Sequence, residues 1–145
     1  MMSQFWNRAK RAMLGCCAVL AFLLMGFGAT PLQLKDLHIT PCPDTAEYSN
    51  MVTSTANPMA ARCLFIEGTV VNRSKNTLVN ADVFGRLYDA NGNDVMPERT
   101  RLGAIEEVSP GESPFSIRIS VPVTNPLPLT MEQFKASGFS GTVRR

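Results

Sequence analysis

The 145-residue chain is predicted to fold as an antiparallel β-sandwich preceded by one N-terminal hydrophobic helix, and three observations lead to that prediction. An uncharged, mostly apolar run from Ala12 to Ala29 follows a cluster of cations near the start of the chain. Beyond the run, apolar and polar residues alternate in several short segments, as they do in strands with one buried face. Turn-forming residues separate these segments at regular spacing, so about seven short strands in two layers are expected.

Residues 1–30 are predicted to be a signal or a membrane anchor. Arg8, Lys10 and Arg11 precede the apolar run, and cations on that side keep the amino terminus inside while the following residues cross the membrane. The run of 18 residues is near the lower limit for a membrane-spanning helix, yet longer than the usual apolar region of a cleaved signal peptide, so both outcomes stay open. The rest of the chain is expected on the exported side (periplasmic, lumenal or extracellular), anchored to the membrane or secreted after cleavage.

The charge balance argues against nucleic acid as a partner. The formal net charge of the chain is +2, and the three N-terminal cations exceed that value, so the remainder carries −1. Nucleic-acid binding requires a concentrated basic face, which a nearly neutral domain does not supply. The residues after the anchor are numerous enough for one hydrophobic core.

Cys42 and Cys63 are the only cysteines after residue 30, and an even number in an oxidising compartment predicts a disulfide bond. Residues 31–62 are therefore interpreted as a first strand followed by a loop that this bond tethers. The loop from Pro41 to Arg62 is rich in Ser, Thr, Asn, Ala and Pro and shows no sustained apolar period, so a tether is needed to order it. A redox or metal pair is the alternative, but neither a CxxC spacing nor a second histidine supports it.

The longest predicted strand, Leu78–Asp89, alternates between two faces. Its inner face is expected to hold Ala81, Val83, Gly85 and Leu87, and its outer face Asn80, Asp82, Phe84, Arg86 and Tyr88. Two further strands are predicted over Cys63–Asn72 and Phe115–Val121, and a short first strand includes Leu37 and Ile39. One or two strands are expected from Val95 to Val108, with a break near Gly103.

The carboxy-terminal segment is predicted to close the sheet after a proline-rich connection from Pro122 to Leu129. Its inward residues are expected to be Phe134, Ala136, Phe139 and Val143. Gly138 or Gly141 is expected to permit a bulge in this segment.

Three segments occur in an order that is similar to a known signature: Glu67–Asn72 (EGTVVN), Leu87–Gly92 (LYDANG) and Ser109–Phe115 (SPGESPF). Together they resemble FxLYD-type domains, which are immunoglobulin-like β modules of exported or membrane-attached microbial proteins. The resemblance covers Leu64 to Val121, with Gly85 at the position of the family's phenylalanine. It implies an immunoglobulin-like sandwich over residues 63–145 and a location at or beyond a membrane, rather than a reaction.

The sequence contains no catalytic constellation, so no enzymatic activity and no catalytic residues are predicted. His38 is the only histidine, which leaves a Ser-His-Asp or Cys-His arrangement a single possible base, on a predicted strand. The carboxylates of Glu106 and Glu107 are adjacent in sequence, but neighbouring strand residues point to opposite faces. A pair of this kind does not form an acid–base site.

Two local patterns suggest an ion and a modification. The segment from Asp89 begins like a calcium loop, but Asp94 lies where the sharp turn requires glycine and Thr100 where the bidentate glutamate belongs. We therefore predict no metal and no cofactor. Asn72-Arg73-Ser74 matches a glycosylation sequon, which has meaning only in a host that glycosylates.

A non-catalytic interaction module is the function predicted, one that contacts another exported or membrane protein as an accessory or assembly subunit. Its contact residues are expected to be Phe84, Arg86 and Tyr88 on the outer face of the longest strand, together with an unpaired strand edge. The alternative is a sandwich that binds a small ligand or a lipid, which would require an apolar cavity in the core.

Overall fold

The computed structural model describes residues 28–53, 58–98 and 100–141, and these residues form an all-β fold. Within them the strands are β1 Thr30–Pro41, β2 Ala61–Asn72, β3 Leu78–Tyr88, β4 Arg101–Val108, β5 Gly111–Pro122 and β6 Thr130–Ser140. The strands pair antiparallel in one six-stranded sheet of order β4-β3-β6-β1-β2-β5. The predicted all-β antiparallel class is confirmed. The prediction of about seven strands in two layers is wrong for the described residues, because six strands pair edge to edge in a single sheet.

The sheet curls until its edge strands β4 and β5 face each other, which makes the fold nearly barrel-shaped. A Cβ atom added to Gly103 of β4 would lie 2.6 Å from Ile117 Cγ2 of β5, so the two edges are in contact. Strands β1, β3 and β6 each contain a bulge beside a residue with positive φ, namely Asp36, Asn80 and Gln133. Because a bulge bends its strand and increases the local twist, these positions curve the sheet.

The interior of the sheet is filled by the apolar residues that the alternation assigned to it. They are Leu64, Ile66 and Val70 of β2, Ala81, Val83 and Leu87 of β3, and Phe115, Ile117, Ile119 and Val121 of β5. Gly85 is buried on the same face of β3. The predicted faces of these three strands are therefore correct, and burial of this apolar set is the main source of stability.

The prediction for β6 is wrong at two points. Its bulge lies at Gln133, whereas Gly138 is in regular strand and would place a Cβ atom 3.1 Å from that of Leu78. Alternation therefore continues through the strand, and Phe139 lies outward opposite Val79 instead of inward. Val143, the last of the predicted inward residues, lies outside the described residues.

The segment before β4 also differs from the prediction. β4 begins only at Arg101 and is not broken at Gly103, although its pairing with β3 shifts register beside Gly103, at Leu102. Val95 lies in the connection between β3 and β4, where its N–H donates to the carbonyl of Leu87 at 2.8 Å. The apolar residues before β4 therefore pack as a loop and not as a strand.

The predicted disulfide between Cys42 and Cys63 is present, with Cα atoms 5.4 Å apart. It closes immediately after the last β1–β2 pair, Pro41 with Leu64. The loop beyond it folds back onto the outer face of β2, where the ring of Tyr48 meets that of Phe65 edge to face at 5.9 Å between centroids. The bond therefore tethers the base of this loop, as predicted.

β1 begins at Thr30, directly after the apolar run that ends at Ala29. No helix in the described ranges is both long enough and apolar enough to traverse a bilayer. The predicted signal or anchor over residues 1–30 falls almost wholly on residues 1–27, outside the described part, and stays a prediction.

Candidate functional site

The three predicted contact residues lie on the outer face of β3, but the structure divides them between two depressions. Phe84 and Arg86 line a depression of about 680 Å³ that also includes Pro31 and Lys135. Tyr88 lines a separate depression of about 440 Å³ at the end of the strand. The outer face of β3 is therefore not one continuous contact surface.

Arg86 is engaged within the protein. Its Nη1 atom donates a hydrogen bond to Asp94 Oδ2 at 2.7 Å and approaches the carbonyl of Pro97 at 3.4 Å. The guanidinium thus ties β3 to the connection that leads to β4. Arg86 therefore holds the connection before β4 in place at the edge of the depression.

Phe84 and Gly85 define the two sides of β3 at this depression. The ring of Phe84 is half-buried on the outer face, with Lys135 Nζ 6.0 Å from its centroid. On the inner face, a Cβ atom on Gly85 would lie 2.5 Å from the ring of Phe134 in β6. Phe134 therefore occupies the space that a side chain at Gly85 would fill, as aromatic residues do beside strand glycines.

Asp89 is a buried carboxylate that organises the turn after β3. Its Oδ1 atom accepts hydrogen bonds from the backbone N–H groups of Asn91 and Asn93 at 2.9 and 3.0 Å, and Oδ2 accepts one from Asn125 Nδ2 at 2.9 Å. The bond from Asn125, followed by those from Asn93 and Asn91, lowers the pKa of Asp89 from its ordinary value, although burial acts in the opposite direction. The groups that face the Asp89 carboxylate are N–H donors and not the oxygen ligands of a calcium loop. Hydrogen bonds therefore hold this turn.

Asn72 is a second buried polar side chain, and it lies in the glycosylation sequon. Its Nδ2 atom donates to the carbonyls of Asn76 and Val108 at 2.8 and 3.0 Å. Its Oδ1 atom accepts from the N–H and the hydroxyl of Ser74 at 2.9 and 2.7 Å. All four hydrogen-bonding positions of the amide are used, so Asn72 pins the β2–β3 turn to the end of β4 rather than presenting a glycan acceptor.

His38 lies on the outer face of β1, where more than half of its side chain is exposed. Its Nε2 atom is 3.5 Å from Glu67 Oε2, and the hydroxyl of Thr40 donates to that same oxygen at 3.0 Å. The hydroxyl thus bonds to the carboxylate and not to the imidazole, unlike the nucleophile of a catalytic triad. These residues line neither of the two depressions described above.

A third feature, which the sequence did not predict, is a groove beside the free edge of β5. We call it the loop groove; it has a volume of about 780 Å³, and its apolar lining includes Val52, Met59, Met96, Leu102, Ile119 and Pro122. Two charged residues, Arg118 and Glu98, also line it. Val52 and Met59 expose 54% and 45% of their surface, which is unusual for large apolar side chains. Val52, Met59 and Met96 come from segments without apolar periodicity, and no sequence pattern connects them with Ile119 of β5.

The two larger depressions come close to each other at the segment before β4. Thr100 lines the first, Glu98 and Leu102 line the loop groove, and Arg86 of the first depression approaches the carbonyl of Pro97, which also lines the groove. Comparisons with family profiles, curated proteins and solved structures find no match for this chain.

Proposed function

We propose that this chain is a non-catalytic exported module, held at a membrane by its N-terminal segment, that binds another exported or membrane protein through the loop groove. The observation that carries the proposal is the groove itself, which is apolar and bordered by the exposed side chains of Val52 and Met59. Contiguous exposed apolar surface of this kind marks interaction sites. In the sheet β5 pairs with β2 alone, so backbone groups on its other edge, beyond the contact of Ile117 with Gly103, are available to an extended segment of a partner.

We also infer that the fold is an immunoglobulin-like module of the FxLYD type. Supporting this inference, the three matching segments fall at the end of β2, at the end of β3 with its turn, and at the start of β5. The Cys42–Cys63 disulfide favours an oxidising, exported environment. The phenylalanine of the family pattern has a counterpart in Phe134, whose ring lies against Gly85 from the neighbouring strand.

The packing of the interior favours a protein partner over a small ligand. A ligand-binding sandwich requires an apolar cavity between its layers. Ile66, Val70, Val83 and Val121 have no exposed surface, and they point into the space where such a cavity would lie. The loop groove lies instead where loop residues meet strands β4 and β5, and its lining extends to Leu102 and Ile119 of the core.

Purification of the full chain in mild detergent tests this function with matched variants. Met59→Asp places a charge in the loop groove, whereas Leu127→Asp changes an equally exposed apolar side chain that does not line it. The unaltered chain and Leu127→Asp are expected to retain a stoichiometric protein partner that Met59→Asp loses. Retention of the partner by Met59→Asp, or an extracted small molecule with no protein partner, contradicts the proposal.

A further inference from the structure

The junction between the apolar run and the sheet fixes where a bilayer would lie. The run ends at Ala29, and Thr30, the first residue of β1, already pairs with Gly138 of β6. In the sequence, no polar linker separates the apolar run from the first strand. Residues that directly follow an inserted segment lie at the level of the lipid headgroups. The surface around the start of β1 is then within reach of the lipid.

One face of the sheet surrounds that junction and has a suitable composition. We call it the tether face; it is the outer side of β3, β6 and the first residues of β1, with Pro31, Val79, Phe84, Lys135 and Phe139. Pro31 is exposed, and Phe84, Phe139 and Val79 are half-buried, although they lie outside the core. Aromatic rings next to a lysine are typical of side chains at the boundary between water and lipid.

The charges of the tether face are compatible with a phospholipid surface. Lys135 Nζ lies over the ring of Phe84 and has no carboxylate partner among the described ion pairs. The nearby carboxylate of Asp82 is compensated by Arg101, whose Nη2 atom lies 2.6 Å from Asp82 Oδ1. Glu107, opposite Val79 on β4, marks the limit of the face toward the sheet edge.

We propose that the tether face lies against the phospholipid headgroups, with the ammonium of Lys135 at the phosphates and the rings of Phe84 and Phe139 at the interface. This proposal rests on the membrane attachment proposed above. β1 has 12 residues and spans about 40 Å, so the proposal places the disulfide at its far end away from the bilayer. None of the named residues of the tether face lines the loop groove, which leaves the groove accessible to a protein partner.

Tryptophan fluorescence of the full chain in nanodiscs of brominated phosphatidylcholine and anionic phosphatidylserine tests the orientation. Trp6→Phe removes the single tryptophan, and new reporters are then placed one at a time. Pro31→Trp and Phe139→Trp report on the tether face, Phe65→Trp on the outer face of β2, and Phe22→Trp on the apolar run. The bromine atoms are expected to quench Pro31→Trp, Phe139→Trp and Phe22→Trp strongly and Phe65→Trp weakly.

A charge reversal tests the role assigned to Lys135. Lys135→Glu is expected to weaken the contact of the tether face with the bilayer by about fivefold per unit of charge and so to reduce quenching of Pro31→Trp. Arg118→Glu, the same charge change away from that face, is expected to leave it unaltered. Equal quenching in both backgrounds contradicts the contact between Lys135 and lipid.

The outcomes separate the two proposals. Strong quenching of Phe22→Trp with no more quenching of Pro31→Trp than of Phe65→Trp overturns the tether face while membrane attachment stands. Absence of quenching of Phe22→Trp overturns both. Circular dichroism of each variant establishes that it is folded. If Phe139→Trp disrupts β6, Pro31→Trp alone still tests the tether face, because Pro31 is exposed and its replacement disturbs no packing.

Discussion

At the scale of single residues, Asn72 and Asp89 each hold a turn, and the two turns lie at opposite ends of β3. Both side chains are buried, with 2% and 4% of their surface exposed, and both satisfy their polar atoms through turn donors or carbonyls. A buried polar group without a partner is costly, so these networks specify their turns strongly.

Replacing the amide of Asn72 tests this view. Asn72→Asp preserves the shape but removes two donors, so a carboxylate would face the carbonyls of Asn76 and Val108 in a buried position. We expect the free energy of unfolding to fall by about 3 kcal/mol, measured by urea titration. Asn76→Asp at an exposed position nearby is the control, with an expected change below about 0.5 kcal/mol. Similar losses in the two variants would contradict the role of Asn72.

The lowered pKa of Asp89 predicts a specific acid sensitivity. A carboxyl whose pKa is lower in the folded than in the unfolded state stabilises the fold above the unfolded value, here near 3.8. That contribution is lost as the pH falls through the folded pKa. Asn125→Ala removes the largest cause of the shift, so we expect lower stability at neutral pH and a smaller further loss on acidification.

Urea midpoints measured between about pH 3 and pH 7 check this prediction. The unaltered chain is expected to show the steeper fall below about pH 4, because it has the larger difference between its two pKa values. Parallel pH profiles for the unaltered chain and Asn125→Ala would show that this hydrogen bond does not control the titration.

Sequence reasoning at this scale succeeded for apolar residues and failed for buried polar ones. Alternation assigns a face to each residue of β3 and β5, because strand geometry alone decides it. The roles of Asn72 and Asp89 depend on Val108 and Asn125, which are distant along the chain. The local sequence around Asn72 shows only a glycosylation sequon, and that around Asp89 only a partial calcium-loop pattern. Neither pattern indicates that the side chain is buried.

At the scale of elements, neighbouring strands compensate for each other in ways that a single strand does not reveal. Gly85 carries no side chain, and the ring of Phe134 from β6 fills its place. The connection before β4 contains apolar residues, yet Arg86 and Asp94 anchor it as a loop. These pairings explain why the start of β4 and the bulge of β6 were predicted wrongly, whereas the predicted end of β4 at Val108 is correct.

Gly85→Ala tests the packing between β3 and β6. The new methyl group would overlap the ring of Phe134, and we expect a loss of about 1–3 kcal/mol in the free energy of unfolding. A double-mutant cycle with Phe134→Ala is the control, because removing the ring should abolish the penalty of the methyl group. Additive effects of the two substitutions would contradict the contact.

Removing the disulfide tests the tether of the loop after β1. The combined variant Cys42→Ser, Cys63→Ser frees a loop of 21 residues in sequence separation and is expected to cost about 3 kcal/mol of stability. Reductant should lower the stability of the unaltered chain by a similar amount and leave the variant unchanged. An unaltered urea midpoint in the variant would show that the loop is ordered without the bond.

At the scale of the whole molecule, one curled sheet carries different surfaces on different sides. The start of β1 lies beside Phe139 and the tether face, whereas the disulfide lies where β1 finishes, and none of the named residues of the tether face lines the loop groove. The two proposals made above combine to a domain that is attached to a membrane on one side and binds a partner on another. The sequence predicted the exported location and an interaction role, but the residues of the loop groove are brought together only by the closure of the sheet.

Photo-crosslinking in intact cells tests most directly whether the loop groove binds a protein. Benzoylphenylalanine is incorporated in place of Met59 in the groove, or in place of the equally exposed Leu127 as the control. We expect one discrete protein adduct from position 59 and none from position 127. The absence of a protein adduct at position 59, or the same adduct from both positions, would contradict protein binding by the loop groove.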